Sequence, residues 1–256
     1  MNSREGFATR LRAGDPLIGY WSMLDSVVAT ERIARVGYDY VCIDAQHGFG
    51  DYRHLLHSLI AVAGSPGSAG LVRVAQNSTI DIARALDAGA TGVIVPMVDS
   101  ADDAQRAAAA CRYPPRGNRS YGPIRSVLGE KATTVDRDRD VLCLAMIETA
   151  TALQNVKEIC EVPGIDGVYV GPSDLSLSLG ARRPGDEDIA PQFTAALQEV
   201  AQAAEAAGIA AGIHCFSGAN AAQRLSEGFA FASVASDITH LENIAQRHLA
   251  DFRGAM

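Results

Sequence analysis

Leu142-Cys-Leu-Ala-Met-Ile-Glu148 and Gly167-Val-Tyr-Val-Gly-Pro-Ser-Asp174 are two short apolar runs, each followed closely by one acidic residue. Each run has the length and the branched apolar content of a strand buried in a parallel sheet. Asp174 follows Glu148 by 26 residues, the length of one strand-helix-strand unit. The two carboxylates should therefore end adjacent strands, at the face where α/β enzymes bind their ligands. Two hard oxygen ligands in that position favour Mg²⁺ or Mn²⁺.

The same alternation of apolar run and Ala-rich helical stretch extends through the chain. Eight strands are predicted, at residues 17–21, 38–43, 70–74, 92–96, 141–147, 167–170, 209–213 and 229–234. Helices are predicted at residues 26–36, 80–88, 101–112, 150–160, 191–207, 219–227 and 238–252. Several end in a glycine, which lets the chain turn into the next strand: Gly37, Gly89, Gly164, Gly208 and Gly228. Eight such units predict a (β/α)₈ TIM barrel in preference to an open doubly wound sheet.

Composition limits the class of protein. The chain has 256 residues and a mass of 26.9 kDa, the usual size of one such barrel. No linker divides it, so residues 1–256 are predicted to form a single domain. No apolar run reaches the roughly 18 residues of a membrane span, and we expect a soluble protein. The net charge of −8 argues against nucleic acid as a partner.

The cysteines and the N-terminal residues indicate a compartment. The first residues lack a basic segment followed by an apolar core, so no secretory signal is expected. Five cysteines, an odd number without CxxC spacing, suit the reduced thiols of the cytoplasm. Cys42 and Cys143 fall inside predicted strands and are interpreted as small buried hydrophobes rather than nucleophiles.

A second polar group follows the predicted second strand, in Asp44-Ala-Gln46-His47. These side chains should lie at the same face as Glu148. A histidine there can act as a general base near neutral pH when a nearby carboxylate fixes its tautomer. A structural hydrogen bond is an equally good interpretation. Arg73, at the end of the third strand, adds a cation suited to a carboxylate or an oxyanion, with a structural salt bridge as the alternative.

The interval 113–140 interrupts the regular spacing of strands and helices, because 28 residues separate the helix predicted at 101–112 from the fifth predicted strand. Long connections in compact domains are usually functional or mobile. This one contains glycine hinges and several arginines. It is either a solvated surface loop, or a lid or subunit contact at the mouth of the barrel.

Seven short motifs occur in order along the chain, and together they are more specific than any one alone. They are Asp44-Ala-Gln-His47-Gly, Val72-Arg73, Leu86-Asp87-Ala-Gly89, Val95-Pro-Met97, Arg112-Tyr-Pro-Pro-Arg-Gly117, Ile147-Glu148-Thr149 and Val170-Gly-Pro-Ser-Asp174-Leu. Over residues 17–236 the chain resembles the metal-dependent class II pyruvate aldolases of the HpcH/HpaI aldolase/citrate lyase family. That family includes 4-hydroxy-2-oxoheptanedioate aldolase and 2-dehydro-3-deoxyglucarate aldolase.

The resemblance implies a reaction and a set of catalytic roles. The reaction is reversible cleavage of a 4-hydroxy-2-oxo acid to pyruvate, or a related 2-oxo acid, and an aldehyde. Glu148 and Asp174 would be the ligands of a divalent cation (Mg²⁺, Mn²⁺ or Co²⁺). His47 would accept the proton, Asp87 would raise the basicity of His47, and Arg73 would stabilise the enolate and the aldehyde oxygen.

Further residues complete the expected site. Asp44 is counted with the catalytic group. The substrate-binding residues are expected to be Ser173, through its backbone N–H to the pyruvate carboxylate, together with Gly171, Met146 and His214.

Three positions depart from the pattern of the best-known family members. Gln46 replaces a Glu, and Met146 replaces a Gln that could donate amide hydrogen bonds to bound pyruvate or water. His214 stands where the typical members carry an apolar residue facing the aldehyde. A more polar acceptor aldehyde is therefore expected.

Other reactions are considered beside this one. The two lysines, Lys131 and Lys157, end no predicted strand, which argues against a Schiff-base aldolase. A citryl- or malyl-CoA-type lyase would use the same acidic pair, although no extra basic segment for CoA is visible. A phosphate-binding barrel is disfavoured, because the loops after strands seven and eight lack paired glycines. A non-catalytic metal-binding barrel is the remaining alternative.

The last helix, residues 237–252, carries an apolar stripe at helical spacing. The stripe consists of Ile238, Leu241, Ile244, Ala245, Leu249 and Phe252. It packs either on its own barrel or on another subunit. Because the family forms trimers and hexamers, we expect a homo-oligomer, either a hexamer or a trimer.

Overall fold

The computed structural model describes residues 3–123, 125 and 133–255. The strands are β1 (Leu17–Ser22), β2 (Tyr40–Asp44), β3 (Ala69–Arg73), β4 (Gly92–Val95), β5 (Leu142–Ile147), β6 (Gly167–Val170), β7 (Ala210–Cys215) and β8 (Phe231–Ser236). The helices are α1 (Ser3–Arg12), α2 (Val27–Ala34), α3 (Tyr52–Ala63), α4 (Thr79–Asp87), α5 (Ala101–Cys111), α6 (Thr134–Asp140), α7 (Ala150–Gln154), α8 (Val156–Cys160), α9 (Pro172–Ser178), α10 (Ala190–Ala207), α11 (Gly218–Ser226) and α12 (Asp237–Gly254). A short 3₁₀ turn (Glu187–Ile189) precedes α10.

The eight strands form one closed barrel in sequence order, and every neighbouring pair is parallel. The predicted (β/α)₈ fold is confirmed, and the predicted strands agree with the observed ones to within two residues at each end. All eight carboxyl ends therefore meet at one end of the barrel, called the mouth below. No helix in the described ranges is long and apolar enough to cross a membrane.

Large and small residues alternate inside the barrel. A Cβ on Gly19 would lie 2.1 Å from the Tyr40 ring, and one on Gly212 would lie 2.2 Å from the Phe231 ring. These glycines make room for the aromatic rings that fill the interior. Tyr40 and Tyr169 both pair with the Ser233 hydroxyl, at 2.9 and 2.8 Å, so the buried phenols have hydrogen-bond partners.

The helices agree with prediction in part. The five glycines expected to end helices all have positive φ, as predicted, but the helix bounds and the number of helices differ. The predicted helix 150–160 is broken into α7 and α8 at Asn155, whose side-chain amide donates to the Asp99 carbonyl at 2.7 Å. Helices α1, α3, α6 and α9 were not predicted. Phe7 and Leu11 of α1 are buried in the same cluster as the interior aromatics, so α1 closes the barrel opposite the mouth.

The connection between α5 and β5 does not lie at the mouth. Helix α5 runs away from the mouth, and α6 leads into the start of β5, so the described residues 113–123 lie at the opposite end. Arg116 pairs with Asp138 of α6 at 3.0 Å, and Arg119 pairs with Asp87 at the end of α4 at 2.7 Å. The prediction that this segment forms a lid over the mouth of its own barrel is therefore wrong for residues 113–123. Residues 124 and 126–132 lie outside the described ranges.

Candidate active site

Glu148 follows β5 directly, and its side chain turns into the mouth of the barrel. It does not cap the following helix, because the Thr149 hydroxyl takes that role by accepting the Ala152 N–H at 2.9 Å. The residue is buried, with 2% of its surface exposed. Oε1 of Glu148 accepts the backbone N–H of Met97 at 2.8 Å. Burial raises the pKa of Glu148, the Met97 hydrogen bond lowers it, and the negative charge of Asp174 raises it further.

Asp174 lies in the first turn of α9, next to Glu148 in space. The N-cap of α9 is Gly171, which has no side chain to cap the helix. Asp174 is exposed and receives no hydrogen bond from the part of the chain that the structure describes. Two carboxylates so close repel each other, and a cation between them would remove that repulsion.

The donor chemistry of this pair fits a hard divalent cation. No group of three or more His, Cys, Asp or Glu side chains that could hold a metal occurs within the described ranges. Two carboxylates leave several coordination positions for water and for oxygens of a substrate, which is the usual mode of octahedral Mg²⁺ binding. The sequence prediction named these two residues as the only protein ligands.

Arg73, Asp44 and Trp21 form a buried ion-pair cluster beside the acidic pair. Asp44 ends β2 and Arg73 ends β3, where the two residues stand opposite each other in register. Nε and Nη2 of Arg73 donate to the two oxygens of Asp44, the first at 2.9 Å. The Trp21 indole N–H donates to the same carboxylate at 3.1 Å, and the guanidinium lies 5.1 Å from the Trp21 ring centroid.

The cluster fixes a positive charge at the mouth. Burial alone would raise the pKa of Asp44, but the hydrogen bonds and the charge of Arg73 outweigh it and the pKa is lowered. Burial opposes the charge of Arg73 as well, yet its pKa is raised by the same pair. Because Arg73 is held by a two-pronged contact, its guanidinium has little freedom to turn.

His47 lies on the loop between β2 and α3 and is exposed. Oδ1 of Asp44 accepts the backbone N–H groups of Gln46 and His47 at 3.0 and 3.2 Å. Asp44 therefore orders the loop through its backbone and does not bond the imidazole. Among the described residues, no side chain or backbone group forms a hydrogen bond with the His47 ring, so its nitrogens are free to exchange a proton.

A cavity of about 270 Å³ opens at the mouth. It contains most of the residues predicted from the sequence, and its wall includes Trp21, His47, Arg73, Met146, Gly171, Ser173, Asp174 and His214. The backbone N–H of Ser173 has no backbone acceptor among the described residues. The parallel strand order explains the convergence, since these residues lie near or just beyond the carboxyl ends of β1, β2, β3, β5, β6 and β7.

His214 lies near the end of β7 in an aromatic corner of the cavity. Its ring packs edge-on against Trp21 at 5.2 Å between centroids, with the Phe216 ring 6.4 Å away. Burial and the nearby charge of Arg73 lower the pKa of His214 to about 4, so the ring is neutral at physiological pH. No described residue forms a hydrogen bond with its ring nitrogens.

Asp87 does not join this site within one chain. Helix α4 starts at the mouth after β3 and runs back along the barrel, so its last residue lies at the opposite end, beside the start of β4. There the Asp87 carboxylate accepts Nη2 of Arg119 at 2.7 Å. Within one chain Asp87 therefore does not contact His47, and its role in raising the basicity of His47 stays a prediction.

Two functional positions were missed from the sequence. Trp21 ends β1 in the cavity wall and binds Asp44; its position at a strand end was a signal that could have found it. Met97 was quoted within a motif but given no role. Its backbone N–H holds Glu148, and only the three-dimensional structure reveals that contact.

Comparisons with known proteins agree with this geometry. The family model described as HpcH/HpaI aldolase/citrate lyase matches residues 17–243. The chain is 41% identical over 241 residues to a hydroxypyruvate/pyruvate aldolase of Rhizorhabdus wittichii, covering 94% of this chain and 95% of that protein. It is 36% identical to a 4-hydroxy-2-oxo-heptane-1,7-dioate aldolase of Salmonella dublin, covering 97% and 95%.

A solved structure is similar over nearly the whole chain. It is a HpcH/HpaI aldolase/citrate lyase family protein from Burkholderia cenocepacia J2315, with a TM-score of 0.89 and 30% identity, covering 97% of this chain and 99% of that one. Family match, relatives and strand-end carboxylates agree on an aldolase, that is, a carbon–carbon lyase. The chain belongs to the HpcH/HpaI aldolase/citrate lyase family.

Proposed function

We propose that this protein catalyses the reversible, divalent-cation-dependent aldol cleavage of 4-hydroxy-2-oxo acids to an aldehyde and pyruvate or hydroxypyruvate. The observation that carries the proposal is the pair Glu148 and Asp174, one buried and one exposed, beside the immobilised guanidinium of Arg73. The relatives include hydroxypyruvate/pyruvate aldolases, and these names support pyruvate or hydroxypyruvate as the 2-oxo acid product.

Glu148 and Asp174 would hold the cation. When bound, Mg²⁺, Mn²⁺ or Co²⁺ would withdraw electron density from the 2-oxo group and so stabilise the enolate that cleavage leaves. The free N–H of Ser173, beside Gly171 and Met146 in the cavity wall, would bind the carboxylate of the 2-oxo acid. These contacts orient the C3–C4 bond of the substrate towards Arg73 and His47.

His47 would move the proton. In the cleavage direction the 4-hydroxyl group loses its proton as the C3–C4 bond breaks, and the bond electrons pass into the enolate. The enolate then takes a proton at C3 to give the methyl group of pyruvate. An imidazole with free nitrogens, on a loop ordered by Asp44, suits both transfers. Arg73 would stabilise the negative charge that develops on the C4 oxygen as its proton leaves, before that oxygen becomes the neutral aldehyde carbonyl.

The test of His47 is exchange of the methyl protons of pyruvate with deuterated water, followed by NMR. We expect His47→Ala to lose about 10²–10⁴-fold in exchange rate while keeping its cation content. His57→Ala, on the exposed face of α3, is the matched control and should exchange like the wild type. Full exchange by His47→Ala would assign the base to another group.

His214 supports a polar acceptor aldehyde. A neutral imidazole with unpartnered nitrogens can donate one hydrogen bond and accept another, and here it lies between Trp21 and Phe216 in an otherwise aromatic corner. A hydroxylated aldehyde would satisfy it, whereas an alkyl aldehyde would leave it without a partner. We therefore propose short hydroxyaldehydes as preferred acceptors.

The acceptor proposal is tested with glycolaldehyde and propanal, which differ by a hydroxyl and a methyl group. The ratio of their kcat/KM values should fall by about fivefold in His214→Leu, since one neutral hydrogen bond is worth on the order of 1 kcal/mol. Proton exchange into pyruvate alone should not change. An unaltered ratio would remove His214 from acceptor selection.

A citryl- or malyl-CoA-type lyase remains the second candidate, because the family itself includes citrate lyases. Incubation of the cation-loaded protein with a CoA thioester separates the two, since aldol substrates release no CoA-linked product. Cleavage of the thioester at a rate above that of a 4-hydroxy-2-oxo acid would favour the second candidate.

We further propose a homo-oligomer, a hexamer or a trimer, and a cytoplasmic location. Beyond Ile238 every described residue of α12 from Thr239 is exposed, including Leu241, Ile244, Leu249 and Phe252. From Leu241 onward the apolar stripe is thus not buried against its own barrel, which makes another subunit its expected partner. In such an assembly Asp87 could reach His47 of a second copy, which it cannot do within one chain.

A further inference from the structure

Two residues other than glycine have a left-handed backbone within the described ranges: Met97, with φ of 53°, and Ala235, with φ of 46°. Met97 lies two residues after the end of β4, and Ala235 is the last residue but one of β8. Both therefore lie at the mouth of the barrel. A positive φ is unfavourable for a residue with a Cβ. Such conformations persist where the surrounding structure imposes them, and they are concentrated at functional sites.

The Met97 side chain does not explain the conformation. It is 53% exposed, so it adds little to the packing of the barrel. The backbone makes the specific contact instead, because the Met97 N–H donates to Oε1 of Glu148 at 2.8 Å. No other described residue donates a hydrogen bond to that carboxylate.

The second oxygen of Glu148, Oε2, lies beside the backbone of Gly171, which has no side chain. A Cβ added to Gly171 would lie 2.9 Å from Oε2 of Glu148 and 2.7 Å from Cε of Met146. Only glycine fits there without a shift. Gly171 is also the N-cap of α9, whose first turn carries Asp174, so Oε2 lies on the side of the second carboxylate.

We propose that Met97 is a positioning residue for the cation: its left-handed backbone aims the amide at Oε1 and so leaves Oε2 of Glu148 as the oxygen offered beside Asp174. The inference rests on the proposed cation dependence. Outer groups that hold a metal ligand in place typically contribute 10–100-fold to metal affinity. The contribution here comes from backbone conformation, not from side-chain chemistry.

Substitutions that differ in their tolerance of positive φ separate an effect of the Met97 backbone conformation from an effect of its side chain. Met97→Leu keeps an apolar side chain that is not branched at Cβ, and Met97→Gly adopts the conformation freely. Met97→Val disfavours it strongly, because a β-branched residue at positive φ is an outlier. Met97→Pro removes the N–H altogether. If backbone conformation matters, Leu and Gly retain cation affinity while Val and Pro lose it.

The readout is Mn²⁺ affinity, with no turnover required. Trp21 is the single tryptophan of the chain and lines the same cavity as Asp174, so bound paramagnetic Mn²⁺ should quench its fluorescence. Calorimetric titration with Mn²⁺ provides a second measure, and circular dichroism checks the fold of each variant. We expect the dissociation constant to be unchanged in Met97→Leu and Met97→Gly and raised about 10–100-fold in Met97→Val and Met97→Pro.

The outcomes separate this inference from the proposed function. Equal affinity in wild type, Met97→Val and Met97→Pro would overturn the positioning role, and loss in Met97→Gly with retention in Met97→Val would assign the effect to the side chain. If either β-branched or proline variant fails to fold, the other decides. A wild-type protein that binds no Mn²⁺ would instead overturn the cation dependence itself.

Discussion

At the residue scale, Glu148 shows that the site is arranged for chemistry and not for stability. A buried carboxyl group is costly to ionise, and the neighbouring Asp174 increases that cost by repulsion. The Met97 N–H offsets part of it. A cation would offset the remainder, so binding and folding should be linked at this position.

His214 gives a testable effect of pH on stability. Burial and Arg73 lower its pKa from 6.5 to about 4 in the folded protein. Between these pH values the unfolded chain binds a proton at His214 that the folded protein does not. The free energy of unfolding is therefore unaffected by this group above pH 6.5 and decreases as the pH falls towards 4. Urea unfolding at pH 7.0 and pH 4.5 should therefore show a larger loss in wild type than in His214→Asn. Equal losses would contradict a lowered pKa for His214 in the folded protein.

At the element scale, the strands could be predicted because parallel barrel strands are buried on both faces and appear as short apolar runs. Residues that directly follow such runs, including Glu148 and His47, could be placed at one mouth by topology alone. The role of Asp87 came from resemblance alone, and the direction of α4 places it at the other end of its own barrel, so its action on His47 stays a prediction for an assembly of two or more copies. The positive φ of Met97 had no signal in its own sequence, because methionine is not a residue type that favours the left-handed region.

The pair between Asp87 of α4 and Arg119 should have a structural role. Arg119 is 2% exposed, and its side chain also packs over the Tyr113 ring at 4.7 Å. Asp87→Ala would leave this buried cation without its carboxylate, and we expect a loss of about 2 kcal/mol in unfolding free energy, less than for a fully buried pair because Asp87 is partly exposed.

The control for Asp87 is Asp15→Ala, whose pair with Arg10 is exposed on both sides. Exposed pairs contribute on the order of 0–1 kcal/mol, so this variant should be close to wild type in chemical denaturation. Similar stability of the Asp87→Ala protein and the wild type would show that the α4 pair is not a structural support.

At the scale of the whole molecule, α12 indicates that one chain is not the complete assembly. Its exposed apolar stripe is long enough to pack against a neighbouring subunit, whereas the other helices of the barrel carry buried residues along one face. The closed barrel has no free sheet edge, so helix packing is the expected route to association.

Light scattering at micromolar concentration tests this assembly. We expect a mass of three or six times the chain mass of 26.9 kDa. Leu241→Glu and Phe252→Glu should shift it to smaller species, because burying a charge at an apolar contact is unfavourable. Asn243→Glu, which adds the same charge on the opposite, exposed face of the same helix, is the matched control. A wild-type protein that scatters as a single chain would contradict the oligomer.

The measurement closest to the central claim is cation-dependent exchange of the methyl protons of pyruvate. Exhaustively chelated protein should exchange no faster than buffer, and addition of Mg²⁺, Mn²⁺ or Co²⁺ should restore exchange in wild type. Glu148→Gln and Asp174→Asn should remain folded and inactive under both conditions, since each removes a charged ligand. Undiminished exchange in the chelated wild-type protein would contradict the assignment of Glu148 and Asp174 as cation ligands.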